Sequence, residues 1–135
     1  MGNKTKILLV DDDVDFIDLN KAVLENQGFE VSAAFSGREA MDKVKFEKPD
    51  LIVLDLMMEK HDSGFTFAKA IKADPLHKDT PILMLTAVTS ETGFDFAQEM
   101  DGYWMKTDDY ASKPLLPDEL VKRINDLLLR ARNEA

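Results

Sequence analysis

The chain has 135 residues, room for one domain and little else. With 17 Lys+Arg against 26 Asp+Glu its formal charge is −9, a poor match to a nucleic-acid backbone, which calls for a basic surface. A 44% hydrophobic content in periodic runs argues against disorder, and zero cysteines exclude disulfides, thiol catalysis and cysteine-based zinc sites.

Ile7-Leu8-Leu9-Val10 reads as a buried strand by its length and branching. Residues 14–27 follow with helical spacing, Phe16, Leu19 and Val23 on one side and Ile17 and Leu24 flanking. Gly28 supplies the helix stop, because it tolerates the left-handed conformation. Residues 29–34 read as a second strand. Ser36-Gly37-Arg38-Glu39 matches a capping box and opens a second helix through Ala40, Val44 and Phe46. Leu51-Ile52-Val53-Leu54 is a third strand after Pro49-Asp50. A third helix spans residues 65–73 and stops near Asp74-Pro75. Ile82-Leu83-Met84-Leu85 is a fourth strand and Tyr110-Ala111-Ser112 a short fifth. The last helix has Pro117 at its first position, Asp118 and Glu119 in its first turn, and a stripe of Leu120, Ile124, Leu127 and Leu128. Strands alternating with helices predict a parallel sheet covered on both faces. Ligands of such sheets sit at the carboxyl ends of the strands, where strand order reverses.

Those ends carry Asp11-Asp12-Asp13 after strand one, Asp55 after strand three, Thr86 after strand four and Lys113-Pro114 after strand five. Taken singly each has a plain reading: an Asp run after a strand is most often a solvated loop or helix cap. Together they converge on one sheet edge. Clustered carboxylates repel, and a hard divalent cation such as Mg²⁺ relieves the repulsion with one or two carboxylates, other oxygens and water. An ionised carboxylate is also a nucleophile toward phosphorus. A transferring phosphoryl group needs metal, ammonium and hydroxyl donors, and acids, Thr86 and Lys113 supply that set.

Over essentially its full length the chain resembles the receiver domain of two-component response regulators. The matching stretches are Ile7-Leu8-Leu9-Val10-Asp11-Asp12-Asp13, Pro49-Asp50-Leu51-Ile52-Val53-Leu54-Asp55-Leu56-Met57-Met58, Pro81-Ile82-Leu83-Met84-Leu85-Thr86-Ala87 and Asp108-Asp109-Tyr110-Ala111-Ser112-Lys113-Pro114. The resemblance implies a flavodoxin-like α/β fold, a doubly wound five-stranded parallel sheet in the order 2-1-3-4-5 with helices on both faces. It implies that Asp55 accepts a phosphoryl group from a histidine kinase, a phosphotransfer protein or a small phosphodonor. Asp12 would bind Mg²⁺ directly, Asp11 through water, and the Met57 backbone carbonyl would complete the protein's ligands beside Asp55. Lys113 would hold a phosphoryl oxygen, Thr86 would move toward the group, and Tyr110 would change rotamer with it. Lys113-Pro114 would be a cis bond. The plain alternative for Tyr110 is an ordinary half-buried strand aromatic.

The sequence departs from the family in two places. After Asp55 the usual Pro is replaced by Glu59, and Glu59-Lys60-His61-Asp62-Ser63-Gly64 is one residue longer. A solvated loop is the favoured reading, with His61 and His77 at the surface. Between Thr86 and Lys113 the interval is several residues longer than usual, and residues 91–107 contain Gly93, Gly102 and aromatics that keep no single stripe. The fourth helix, between strands four and five, is therefore expected to be short or remodelled. Phe94, Phe96, Tyr103 and Trp104 then either form a partner face, altering partner choice or self-association as a homodimer, or simply cover the core. Met57 and Val88, at the positions that tune dephosphorylation in the family, are apolar, which implies a long-lived phosphate.

The enzymatic rival is a haloacid-dehalogenase-like phosphatase using Asp11 and Asp13, since Asp11-x-Asp13-x-Asp15 resembles its nucleophile motif. That family wants an acidic pair after the lysine, whereas Asp108-Asp109 precedes it. A further alternative is a receiver fold that no longer phosphorylates and only docks partners. The expectation is a phosphoacceptor signalling domain over residues 5–132, not an enzyme on small substrates, cytoplasmic, docking a kinase and a downstream protein, with no nucleic-acid or membrane binding. No room remains in this sequence after Arg132 for an output domain, so the expectation is a stand-alone receiver, with a receiver cut from a longer protein as the alternative.

Overall fold

In a computed structural model the chain is described over residues 4–56, 63–86, 109–113 and 115–134. The strands are β1 (Lys6–Val10), β2 (Glu30–Ala34), β3 (Leu51–Asp55), β4 (Ile82–Thr86) and β5 (Asp109–Ser112). The helices among the described residues are α1 (Val14–Asn26), α2 (Gly37–Glu47), α3 (Ser63–Ala73) and, at the C-terminal side, α4 (Pro117–Glu134). One sheet holds all five strands in the order β2-β1-β3-β4-β5, and every neighbouring pair is parallel. This is the flavodoxin-like topology expected from the sequence. The expected remodelled helix, at residues 91–107, lies outside the described residues. Among the described residues no helix is long and apolar enough to cross a membrane.

The pleat sorts the core into two layers. Leu8, Val10, Ile52, Leu54, Ile82 and Met84 face α2 and α3, packing with Ala40, Val44, Phe67, Ala68 and Ile71. Ile7, Leu9, Leu51, Val53, Leu83, Leu85 and Ala111 face α1 and α4, packing with Ile17, Leu24, Leu120, Ile124 and Leu127. Alternation then has a consequence for the strand ends. Asp11 comes two residues after Leu9, Asp55 two after Val53 and Lys113 two after Ala111. All three therefore continue the face that α1 and α4 cover.

Local signals end the helices where the sequence places them. The Asp13 carboxylate caps α1, its Oδ1 accepting from the amides of Asp15 at 3.0 Å and Phe16 at 3.2 Å. Gly28 leaves α1 with φ +96°, a conformation closed to most side chains. Ser36 caps α2 through the Glu39 amide at 3.1 Å. The reciprocal bond of this capping box reaches one residue further back, from the Phe35 amide to Glu39 Oε1 at 2.7 Å. After α3, Lys72 reaches back over the turn and donates to the carbonyls of Lys78 at 3.1 Å and Thr80 at 2.8 Å.

Three expectations need correction. The buried stripe of α1 is Ile17, Asn20 and Leu24, one residue round from the expected one, and Leu19 is 54% exposed. Asn20 is buried there, its Nδ2 donating to the Phe16 carbonyl at 2.9 Å while its Oδ1 has no hydrogen-bond partner among the described residues. Phe46, assigned to the α2 stripe, is 86% exposed, and Ala40 and Val44, with partly buried Met41, carry the buried side of that helix. His77 is not a free surface residue. Its side chain is 11% exposed, 4.0 Å from Asp74, beside a cavity of about 320 Å³ lined by Lys45, Lys48, Pro49, Leu76 and Thr80.

Candidate functional site

The parallel register brings the strand ends together. Val10 pairs with Leu54, so Asp11 leaves β1 beside Asp55 at the end of β3. Asp55 pairs with Leu85, and Thr86 pairs with Ser112, the residue before Lys113. Asp11 is 1% exposed and Asp55 4%, whereas Asp12 is exposed. One carboxylate oxygen from each of Asp11, Asp12 and Asp55 lies within 4.8 Å of the others.

Lys113 closes this cluster from the far end of the chain. Its Nζ donates to Asp11 Oδ2 at 2.9 Å and to Asp55 Oδ2 at 3.5 Å. It also lies over the Phe16 ring, 4.7 Å from the centroid. The other Asp11 oxygen accepts the Asp13 amide at 2.9 Å, so the turn into α1 is tied to the buried acid.

Electrostatics follow from the burial. Loss of water pushes the Asp11 carboxyl up from 3.8 to about 6, against the lowering influence of the Asp13 amide and the Lys113 hydrogen bond, with the Asp55 charge raising it further. Burial also works against the Lys113 ammonium, but its bond to Asp11 and the charges of Asp11 and Asp55 outweigh that, and its pKa is raised. Two buried acids and an exposed third form an all-oxygen, net-negative donor set open to solvent on the Asp12 side. Such a set fits a hard divalent cation that keeps part of its water shell.

The structure thus joins Asp11, Asp12, Asp55 and Lys113 as the strand-end reading expects. Thr86 stands at the carboxyl end of β4, in the register position next to β5. Tyr110 pairs with Met84 in β5 and is 48% exposed, which fits the plain alternative of a half-buried strand aromatic. Met57, Pro114, Glu59, His61, Val88, Phe94, Phe96, Tyr103 and Trp104 lie outside the described residues. Sequence reasoning missed Phe16 as a neighbour of Lys113. An aromatic in the first helical turn after the acid run carries no mark of that contact. Also missed was Asp109, which takes Arg130 at 3.1 Å and Arg123 at 3.6 Å along the outer edge of β5 and α4.

A five-stranded 2-1-3-4-5 sheet with acids and a lysine gathered at its carboxyl edge defines the class of receiver-like α/β proteins. Residues 7–125 match the response regulator receiver domain family, and the chain belongs to that family. It is similar to the alkaline phosphatase synthesis transcriptional regulatory protein PhoP of Bacillus subtilis (strain 168), 41% identical over 126 residues, 93% of this chain and 49% of that protein. It is similar to the probable transcriptional regulator ycf27 of Cyanophora paradoxa, 39% identical over 131 residues, 97% of this chain and 51% of that protein. The chain therefore spans about half the length of these regulators. Among solved structures it resembles the chemotaxis response regulator CheY4 of Vibrio cholerae, with TM-score 0.79 and 33% identity over 93% of this chain and 99% of that one. It also resembles a CheY-like receiver domain protein of Methanospirillum hungatei JF-1, with TM-score 0.82 and 26% identity over 98% and 100%. Domains of this family are signalling modules of two-component systems rather than enzymes on small substrates. These matches give the phosphatase alternative no support, and Asp13, its second acid, is engaged as the cap of α1.

Proposed function

We propose that this domain is a phosphoacceptor switch in which Asp55 takes a phosphoryl group from a histidine kinase, a phosphotransfer protein or a small phosphodonor. The observation that carries the reading is the convergence of Asp11, Asp12 and Asp55 with the Lys113 ammonium between two of them. An Asp55 carboxylate oxygen attacks phosphorus, and the new O–P bond forms as the bond from phosphorus to the donor breaks. The departing imidazole nitrogen or carboxylate oxygen keeps the electron pair, and an imidazole takes up a proton. The step calls for no general base, because a carboxylate is itself a competent nucleophile. Asp11, Asp12, Asp55 and the Met57 carbonyl would hold Mg²⁺. When bound, the ion neutralises charge on the phosphoryl oxygens. Lys113 orients a further oxygen, and Thr86 is the hydroxyl donor.

The added group carries charge and three strong acceptors, and biases the segment after Thr86 together with β5 and α4. Tyr110 reports the shift. The proposed downstream face includes Phe94, Phe96, Tyr103 and Trp104. The family resemblance puts Met57 and Val88 at the positions that tune dephosphorylation, and neither apolar side chain can position an attacking water. The phosphorylated domain is expected to hold its group well beyond seconds, and decay within seconds in the isolated protein would remove this part of the reading.

The test is intact mass after incubation with Mg²⁺ and acetyl phosphate, on the native protein and on Asp55→Asn. One phosphoryl group on the native chain and none on the variant supports the reading. No adduct on the native chain overturns it and leaves a docking module.

A further inference from the structure

Lys113 is held by three contacts, and two of them are committed elsewhere once the site works. Asp11, at 2.9 Å, is shared with the proposed metal. Asp55, at 3.5 Å, loses negative charge from the oxygen that becomes bonded to phosphorus. The third contact is the face of Phe16, 4.7 Å from Nζ to the ring centroid. A hard cation prefers oxygen and does not compete for an aromatic face, and a phosphoryl group does not displace it either. A lysine side chain has several rotatable bonds, so an ammonium loosened from its carboxylates needs another contact to keep it in place until it takes a phosphoryl oxygen.

Phe16 is well placed to do so because its own backbone is fixed from both sides. Its amide donates to the Asp13 cap at 3.2 Å. Its carbonyl accepts from Asn20 Nδ2 at 2.9 Å, and Asn20 is 1% exposed. The ring is half-buried against the α1–α4 core layer. The turn that supplies Asp11 and Asp12 therefore also delivers the ring under Lys113.

We infer that Phe16 is a positioning residue for Lys113, its ring keeping the ammonium beside Asp55 while the metal and the phosphoryl group take over the two carboxylates. This rests on the phosphoacceptor reading of Asp55. The contact itself is tested without metal or phosphate, by NMR of lysine-labelled protein. Protons near Lys113 Nζ sit over the ring face and should be shifted upfield in the native chain and in Phe16→Tyr, and lose that shift in Phe16→Leu. The role is tested by the rate of phosphorylation from acetyl phosphate with Mg²⁺. Phe16→Leu should slow it about five-fold, a factor in keeping with a partly exposed cation–π contact, at unchanged Mg²⁺ affinity, and Phe16→Tyr should restore it.

A native rate in Phe16→Leu overturns the inference, as does an equal loss in Phe16→Leu and Phe16→Tyr, which would mark a packing role. Absence of the upfield shift in the native chain overturns it as well. Should Phe16→Leu fail to fold, Phe16→Met fills the same volume without a ring and is read by the same criteria. A native chain that takes no phosphoryl group sinks the phosphoacceptor reading and this role with it. A native chain that is phosphorylated, with Phe16→Leu unimpaired, sinks only the role of Phe16.

Discussion

Burial of Asp11 beside Asp55 gives the pH dependence of stability an unusual sign. The Asp11 carboxyl sits at about 6 against an ordinary 3.8, burial being the main cause. Between those values the folded chain keeps a proton that the unfolded chain has released, so stability falls as pH rises through this window and levels off above it. The contribution is about 1–3 kcal/mol. Urea unfolding of metal-free protein at pH 4 and pH 7 measures it. The native chain should lose that much more than Asp11→Asn between the two conditions, and equal losses would remove Asp11 as the source. Lys113 works at the other end of the scale. Its raised pKa contributes stability that is fully present below 10.5 and lost as pH rises through the folded value. Lys113→Ala takes away the ammonium shared by two buried acids and should cost about 2–3 kcal/mol near neutral pH. Mg²⁺ supplies the missing positive charge, so the rise in Tm on adding Mg²⁺ should be larger in Lys113→Ala than in the native chain. Equal rises would mean that the cation does not relieve repulsion between these carboxylates.

At the scale of elements, strands and turns were the most legible parts of the sequence. The cores of β1, β3 and β4 are short apolar runs, and each expected run lies inside an observed strand or within one residue of it. Helix faces were less legible, for a physical reason. In α1 every position from Phe16 to Leu24 that is apolar competes for the core, and the pattern alone does not fix the rotation. The helix buries Asn20, with one of its polar atoms bonded to the Phe16 carbonyl and the other unsatisfied among the described residues, and leaves Leu19 exposed. Phe46 misled for the same reason, since its apolar character says nothing of which way the last turn of α2 faces. The stop of α1 offers a clean test of backbone conformation. An added Cβ at Gly28 meets nothing within 4 Å, so Gly28→Ala is opposed by its φ of +96° alone. It should cost about 1 kcal/mol in urea unfolding and leave phosphorylation from acetyl phosphate unchanged. A neutral or stabilising substitution would show that the helix end relaxes out of the left-handed region.

For the whole molecule, the site is an outcome of topology. Lys113 reaches Asp11 across 102 positions and Asp55 across 58, so no segment of the chain carries the cluster by itself. Residue types at the strand ends were readable because a parallel sheet places all its carboxyl ends on one edge, and the 2-1-3-4-5 order sets β1 beside β3 at its centre. The lysine's aromatic partner was not readable, because helical spacing gives no hint of what a first-turn ring meets from the last strand. The same topology predicts how function is lost. β1, β3 and β5 must all be in register for Asp11, Asp55 and Lys113 to meet, and the sheet's two core layers share every central strand. A single domain of this kind is expected to unfold in one cooperative step. Competence to accept a phosphoryl group should therefore fall along the same urea curve as far-UV ellipticity, with one midpoint for both. A site lost at distinctly lower urea than the sheet would mean that β5 and Lys113 detach as a separate unit, and that the outer strand, rather than the whole fold, governs whether the phosphoacceptor is assembled.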